Sequence, residues 1–329
     1  MRVGCMKRGE KVQGSESYNR KPIPQTVLVF GAAGRIGAPL AKTLANEAPS
    51  IRLRLATHSP QKAAMLREQF PSAEVVVADY FDPPSLRAAV EGMEGIFVIT
   101  SSGIEERPAM TNLIAAVRQA GDVKQILRQV GLQPEANPAR IPASLRDGVT
   151  ALPIQHAIAK QLFDESGLPV TYLNCGATFM DNFILFGMNE YLKRDRRLIW
   201  PERLIPWIDT RDVGEVAARL FLSDNHRHIG QFHTLNNGHD LMRFHDVAAL
   251  MSEVWGVPIV HDSSQESFFS SYLKFGERRQ VLWDFFQYEQ DNEVVWALND
   301  FVERMLGRKP RTLREWLIEH HEQMLGLPE

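Results

Sequence analysis

The sequence predicts an α/β protein, a doubly wound parallel sheet with a smaller, mostly helical companion, and three observations predict it. Short apolar runs alternate with amphipathic helical patterns from residue 26 to about residue 130. A glycine-rich turn closes the first run and opens the first helix. Beyond about residue 235 strand-like runs give way to helical patterns. Such alternation implies right-handed crossovers and therefore a parallel sheet.

The first strand, Thr26 to Phe30, is short, apolar and partly β-branched, and the helix Ile36 to Glu47 follows it at helical spacing. The pair recurs as Arg52 to Ala56 with Gln61 to Phe70, as Glu74 to Val77 with Pro84 to Glu91, and as Gly95 to Thr100 with Pro108 to Ala120. Val123 to Val130 is a fifth, weaker run. A Pro-rich stretch, residues 132–153, is then too long for an ordinary connection. It leaves the carboxyl end of the fifth strand, the edge where open α/β sheets bind ligands, so it is a candidate wall or lid. A helix from Ile154 to Ser166, the strand PVTYLN and a helix from Ala177 to Leu192 come next. LIPWIDTRDVGEVAARLFL is a short strand turning into a helix, with Asp212 and Glu215 as a capping pair, and GQFHTL is one more strand.

Composition narrows the function. Hydrophobic residues at 44% and charged ones at 23% of 329 are ordinary globular values, and a net charge of −3 argues against a phosphate-backbone surface, so no nucleic-acid partner is expected. No apolar stretch reaches membrane-spanning length, and the first 25 residues lack the apolar centre of a secretory signal; the expectation is a soluble, cytoplasmic protein without a membrane partner. Cys5 and Cys175 form no disulfide framework and no metal spacing. Residues 1–25, with six basic and two acidic side chains and no periodic apolar pattern, predict a flexible basic tail.

The stretch VLVFGAAGRIG carries the chemistry. Gly31, Gly34 and Gly37 follow a strand and open a helix, with Arg35 and Ile36 inside the turn. The first glycine permits the tight turn, the second lets backbone approach a diphosphate, and the third lets helix pack on strand, while the helix N-terminus offers free N–H groups. This is the fingerprint of a Rossmann-type dinucleotide site. No acidic residue ends the second strand to hold a ribose 2′-hydroxyl; His58, Ser59 and Lys62 stand there. A basic, hydroxyl-bearing pocket suits a 2′-phosphate, so NADP(H) is preferred and NAD(H) is possible, although Arg35 and Lys62 also suit solvated helix-end cations. Asp79 and Tyr80 end the third strand, where they either face the adenine or, for Asp79, cap the next helix; Thr100, Ser101 and Ser102 end the fourth beside the expected ribose. The expected division is a dinucleotide-binding domain over 26–175, with 206–235 returning to its sheet, and a smaller substrate-side domain over 176–329.

Four stretches, VLVFGAAGRIG, VVADYFDPPSLRAAVEGMEGIFVIT, LFDESGLPVTYLNCGATFMDNF and WIDTRDVGEVAARLF, resemble the NmrA-like branch of the atypical short-chain dehydrogenase/reductases, and the likeness runs from Thr26 to RTLREWLIEH. The resemblance implies a Rossmann domain that binds NAD(P) and a smaller domain closing a cleft over the nicotinamide. It also implies a division of function: NADPH-dependent reductases of quinones, enones or aromatic ethers on one side, dinucleotide sensors that act through a protein partner on the other. A lyase or epimerase on the same fold is a third class.

The chain departs from ordinary short-chain dehydrogenases. Where they place a serine it reads Val130 and Gly131, and where they carry Tyr and Lys four apart it reads His156 and Lys160. Four apart on a helix is one face, so both could point at a nicotinamide ring. His156 matches the place where isoflavone-reductase-like relatives use a lysine, and the resemblance makes it a proton donor to a conjugated or aromatic small-molecule substrate. An imidazole titrating near neutrality suits that task. Lys160 is a ribose contact or a solvated cation. Other residues have blander readings: His226, His228 and His233 as a surface loop, Cys175 as a buried thiol, Asp212 as a cap, and the aromatic run from Phe268 to Tyr288 as core packing with some share, beside Phe179 and Met180, facing substrate.

Overall fold

The computed structural model describes residues 20–101, 103–132, 141–146 and 152–326. Its first half runs β1 (Thr26–Phe30), α1 (Gly37–Glu47), β2 (Arg52–Thr57), α2 (Pro60–Gln69), β3 (Glu74–Val77), α3 (Pro83–Val90), β4 (Gly95–Val98), α4 (Glu106–Ala120), β5 (Gln125–Val130), α5 (Ala143–Arg146), α6 (Leu152–Ser166) and β6 (Val170–Asn174). The second half runs β7 (Thr178–Phe179), α7 (Asn182–Leu185), α8 (Met188–Asp195), β8 (Arg197–Ile199), β9 (Leu204–Ile208), α9 (Thr210–Leu222), β10 (Phe232–Thr234), β11 (Leu241–Arg243), α10 (Phe244–Trp255), β12 (Val260–Asp262), α11 (Gln265–Ser271), α12 (Arg278–Asp291), α13 (Phe301–Leu306), α14 (Leu313–Glu319) and α15 (His321–Leu325).

Seven strands form the main sheet in the order β10-β6-β5-β4-β1-β2-β3, every pair parallel. The fold is the doubly wound one that the alternation predicts. Strand order reverses between β1 and β4, which opens a crevice at their carboxyl ends. Period-two alternation loads both faces of the sheet: Val27 and Val29 enter the core under α1 and α9, while Leu28 and Phe30 enter the core under α3, α4 and α6. Each such side chain, fully buried, is worth about 1.5–3 kcal/mol. Gly214 lets α9 lie against α1, since a Cβ there would come within 2.6 Å of the Ile36 carbonyl oxygen. A separate apolar core, built on Trp200, Trp207, Phe244, Phe268, Tyr272 and Trp316, holds the second region together.

Five expectations change. Of residues 206–235, expected to return to the main sheet, Phe232–Thr234 is the strand that does so, beside β6, while Leu204–Ile208 pairs with β7 and β11 in a separate three-stranded sheet. The continuous helix over Ala177 to Leu192 is broken: Thr178 and Phe179 pair with Trp207 and Ile208, and Gly187 adopts φ +76 between α7 and α8. The end of the sequence carries two more short strands, β11 on β9 and β12 on β8. Asp212 is no cap. Asp209 caps α9 by accepting from the Arg211 N–H, while Asp212 is fully buried and receives the Arg308 guanidinium at 2.8 Å and the Arg311 backbone N–H at 2.7 Å. Of the expected tail, residues 20–25 are docked: the Lys21 N–H bonds the Asp224 carbonyl at 2.8 Å, and the Gln25 N–H bonds Glu94 at 2.6 Å. The remainder of that tail lies outside the described residues.

Candidate active site

The glycine turn forms one lip of the crevice. Gly31 adopts φ +65, and a Cβ there would lie 2.6 Å from Ile99 Cγ2. At Gly37 a Cβ would lie 2.3 Å from the Gly31 carbonyl oxygen, a backbone collision with no side chain to move aside. The Gly34 N–H closes the turn on Gly31 at 2.8 Å, but the N–H groups of Arg35, Ile36 and Gly37 find no acceptor among the described residues. Helix α1 has no side-chain cap and no acid in its first turn, so its positive end is left for an outside anion. A diphosphate fits these residues. Arg35 reaches across to Asp181, a buried carboxylate that Thr210 also bonds, and so ties the turn to the second region.

At the end of β2, Thr57 is buried and His58 is exposed; Ser59 caps α2 by accepting from the Lys62 N–H at 3.3 Å, which leaves the Lys62 side chain exposed beside it. Asp79 is exposed and accepts from the Phe81 N–H at 2.9 Å, building a turn ahead of α3, whose N-cap is Asp82. Tyr80 turns inward: its hydroxyl donates to the Ile99 carbonyl at 3.0 Å, its ring packs on Phe30, and burial raises its pKa. Thr100 bonds Glu106 and accepts from Arg128 at 3.1 Å, Ser101 is exposed, and Ser102 lies outside the described residues.

Beneath that lip Arg128 and Glu106 form an ion pair at 2.6 Å with both side chains fully buried. Gln155 receives the Glu106 N–H at 2.8 Å, so the pair links β4, β5, α4 and α6. A charge inside the strand QILRQV was the available sequence signal, because a buried charge demands a partner. The pattern of apolar runs does not reveal it, nor does it reveal Asn174, which clamps Leu132 through a 2.7 Å bond from the Leu132 N–H and a 2.9 Å bond to its carbonyl.

His156 stands at the carboxyl ends of β5 and β6. Its Nδ1 accepts the Gly131 backbone N–H at 2.7 Å, and a Cβ on Gly131 would come within 3.6 Å of that nitrogen. Nδ1 also lies 3.3 Å from the Gly131 carbonyl oxygen, but the shorter contact with the Gly131 N–H makes it an acceptor, which puts the proton of the neutral ring on Nε2. Burial, with the Arg128 charge adding to it, lowers the pKa to about 3. The expected titration near neutrality is therefore corrected: the ring is a neutral donor. Lys160 is engaged elsewhere, bonded to Asp164 at 2.6 Å and lying 4.9 Å over the Tyr172 ring. Burial pushes the Cys175 thiol up to about 12, so it is inert as a nucleophile.

The remaining candidates resolve into structure. His228 faces His233 at 3.3 Å, and His233 stacks on Phe301, both partly buried. Among the described residues no group of three His, Cys, Asp or Glu could hold a metal, and no helix is long and apolar enough to cross a membrane. Phe268, Tyr272, Phe286 and Met180 sit in the second core. In the long connection after β5, Ile141 and Leu145 pack on Tyr288 of α12; residues 133–140 and 147–151 lie outside the described residues.

A model of the NmrA-like family matches residues 24–317. A (4-alkanoyl-5-oxo-2,5-dihydrofuran-3-yl)methyl phosphate reductase from Streptomyces griseus is 24% identical over 309 residues, 90% of this chain and 98% of that protein. An NAD(P)H azoreductase from Xenophilus azovorans is 25% identical over 235 residues, 71% of this chain and 75% of that protein. The structure of an NADPH-dependent quinone oxidoreductase from Escherichia coli complexed with NADPH superposes with a TM-score of 0.73 at 20% identity, covering 90% of this chain and 99% of that one.

Proposed function

We propose that this chain, which belongs to the NmrA-like family, is an NADPH-dependent reductase that passes hydride to a conjugated or aromatic small molecule such as a quinone, an enone or an aromatic ether. The observation that carries the reading is a neutral imidazole N–H fixed at the carboxyl edge of the same sheet whose glycine turn leaves three N–H groups for a diphosphate. The relatives named as NAD(P)H-dependent reductases support it.

When bound, the reduced nicotinamide supplies the hydride. The N–H groups of Arg35, Ile36 and Gly37 hold the diphosphate, and Gly31 and Gly34 keep the approach clear. His58, Ser59 and Lys62 would receive the 2′-phosphate beyond β2, where the chain carries no Asp or Glu before Glu68. Ser101 lines the ribose side. His156 Nε2–H donates to the substrate oxygen as negative charge develops there, while Nδ1 stays pinned by Gly131. Handing over that proton would leave an imidazolate, so water supplies the proton that completes the product. Neutral His156 is a polarising group.

The test is direct. Purified protein is titrated with NADPH and NADH by fluorescence, then mixed with quinones, enones, azo dyes and aromatic ethers while absorbance of the reduced nicotinamide is followed. Consumption that falls about 10²- to 10³-fold in His156→Ala supports the reading. NADPH binding with no consumption across the panel makes the protein a dinucleotide sensor.

A further inference from the structure

Two arginines bridge the crevice, one on each lip, and they end differently. Arg35 leaves the glycine turn and meets the buried carboxylate of Asp181. Arg278, the first residue of α12 in the second region, reaches the opposite lip, the loop that follows β4, and its guanidinium lies over Gly103. Nη2, Cζ and Nη1 stand 3.2, 3.7 and 3.9 Å from the point a Cβ on Gly103 would occupy, and Gly103 holds φ +95, a conformation that favours glycine. The glycine thus gives the guanidinium its seat.

No carboxylate meets that guanidinium among the described residues, Glu277 included. Other arginines of the second region end on acids: Arg197 on Asp262, Arg203 on Glu289 and Arg243 on Glu293. Arg279, next along α12, is used up on the carbonyls of Phe269 and Gly276. Arg278 is exposed, so water stabilises its charge. A ligand bound between the β4 loop and α12 would displace that water and leave the guanidinium without a counter-ion.

We propose that Arg278 is an anion-recognition residue of the crevice, pairing with a phosphate, carboxylate or sulfonate group of the ligand held there. The proposal rests on the reductase reading only for the identity of that ligand. Planar, bidentate geometry suits these oxyanions, and a charge-assisted pair of this kind carries specificity more than rate. The preferred substrate is therefore a conjugated molecule bearing an acidic group.

The experiment compares 1,4-naphthoquinone-2-sulfonate with uncharged 1,4-naphthoquinone, each titrated calorimetrically into protein saturated with NADP⁺, and then each used as acceptor with NADPH. Wild type, Arg278→Gln and Arg278→Lys are measured. The expected result is a preference for the sulfonate that falls about ten-fold in Arg278→Gln and partly recovers in Arg278→Lys. If the ratio of the two quinones holds while NADPH affinity falls about ten-fold, the anion is the cofactor's own phosphate. A ratio and an NADPH affinity both unchanged in Arg278→Gln overturn the proposal. Absence of turnover with both quinones, beside a sulfonate preference in calorimetry, breaks the reductase reading and leaves the anion site standing.

Discussion

At the glycine lip the crevice presents backbone; at the carboxyl ends of β5 and β6 it presents a side chain held by the backbone of another element. Gly31, Gly34 and Gly37 act by lacking a Cβ, and the groups that would touch a ligand are N–H groups whose positions follow from one strand, one turn and one helix. His156 acts through Nε2, and its state depends on Gly131 just beyond β5, on the Arg128 charge and on burial among elements distant in sequence. The difference teaches that the first end is a local construction and the second a long-range one. Substitutions should therefore fail differently at the two ends.

The largest effect is expected at the local end. Gly37→Ala drives a methyl into the Gly31 carbonyl, so NADPH affinity by calorimetry should fall at least about 100-fold with roughly 1–3 kcal/mol lost in denaturant unfolding. Gly214→Ala presses on the Ile36 carbonyl from the α9 side and should weaken both quantities less, because helix α9 can shift as a body. Equal loss in both variants would mean that the turn is set by α9 packing and is not local.

Next comes the long-range end. Glu106→Gln leaves the Arg128 charge buried without its counter-charge, and unfolding free energy should drop by about 3–5 kcal/mol. The double variant Glu106→Leu with Arg128→Met removes both charges and should regain most of that loss. If the double variant is as unstable as the single one, the loss comes from the contacts the pair makes and not from a charge left unpaired.

Much of the local end was legible in the sequence, since a three-residue glycine spacing after a strand dictates backbone geometry wherever it occurs. So was a parallel sheet, though not its strand order; of the stretch 206–235 expected to return to it, Phe232–Thr234 does so beside β6, whereas Leu204–Ile208 pairs with β7 and β11. The second end was legible only in part. His156 and Lys160 do lie one turn apart, but Asp164, a further turn on, claims Lys160 for an ordinary helix-face pair. Arg128 weakened the reading of its own strand because its partner sits 22 residues away on another element. Asp212 had the spacing of a cap but is spent on Arg308 and Arg311, nearly a hundred residues later. Spacing reveals what neighbours in sequence do to each other; it is silent on which distant group satisfies a buried charge.

The smallest effect is expected at Lys62, whose exposed ammonium can meet a 2′-phosphate only through water-screened attraction. Lys62→Ala should weaken NADPH several-fold and shift the NADPH to NADH affinity ratio by the same factor. A ratio that does not move would make Lys62 a solvated cation and assign cofactor preference to His58 and Ser59.

The most direct measurement is made on His156 itself. Histidine is labelled with ¹⁵N, the His156 ring is identified through His156→Gln, and its nitrogen shifts are followed from pH 8 to pH 5. A pKa of about 3 keeps the ring neutral throughout, with a protonated Nε2 and an unprotonated Nδ1 at every point. The unfolded chain, whose histidines titrate near 6.5, gains protons over the same range, so the folded state should lose about 2 kcal/mol from this residue by pH 5. Shifts that move to those of an imidazolium near pH 6.5 would contradict the account.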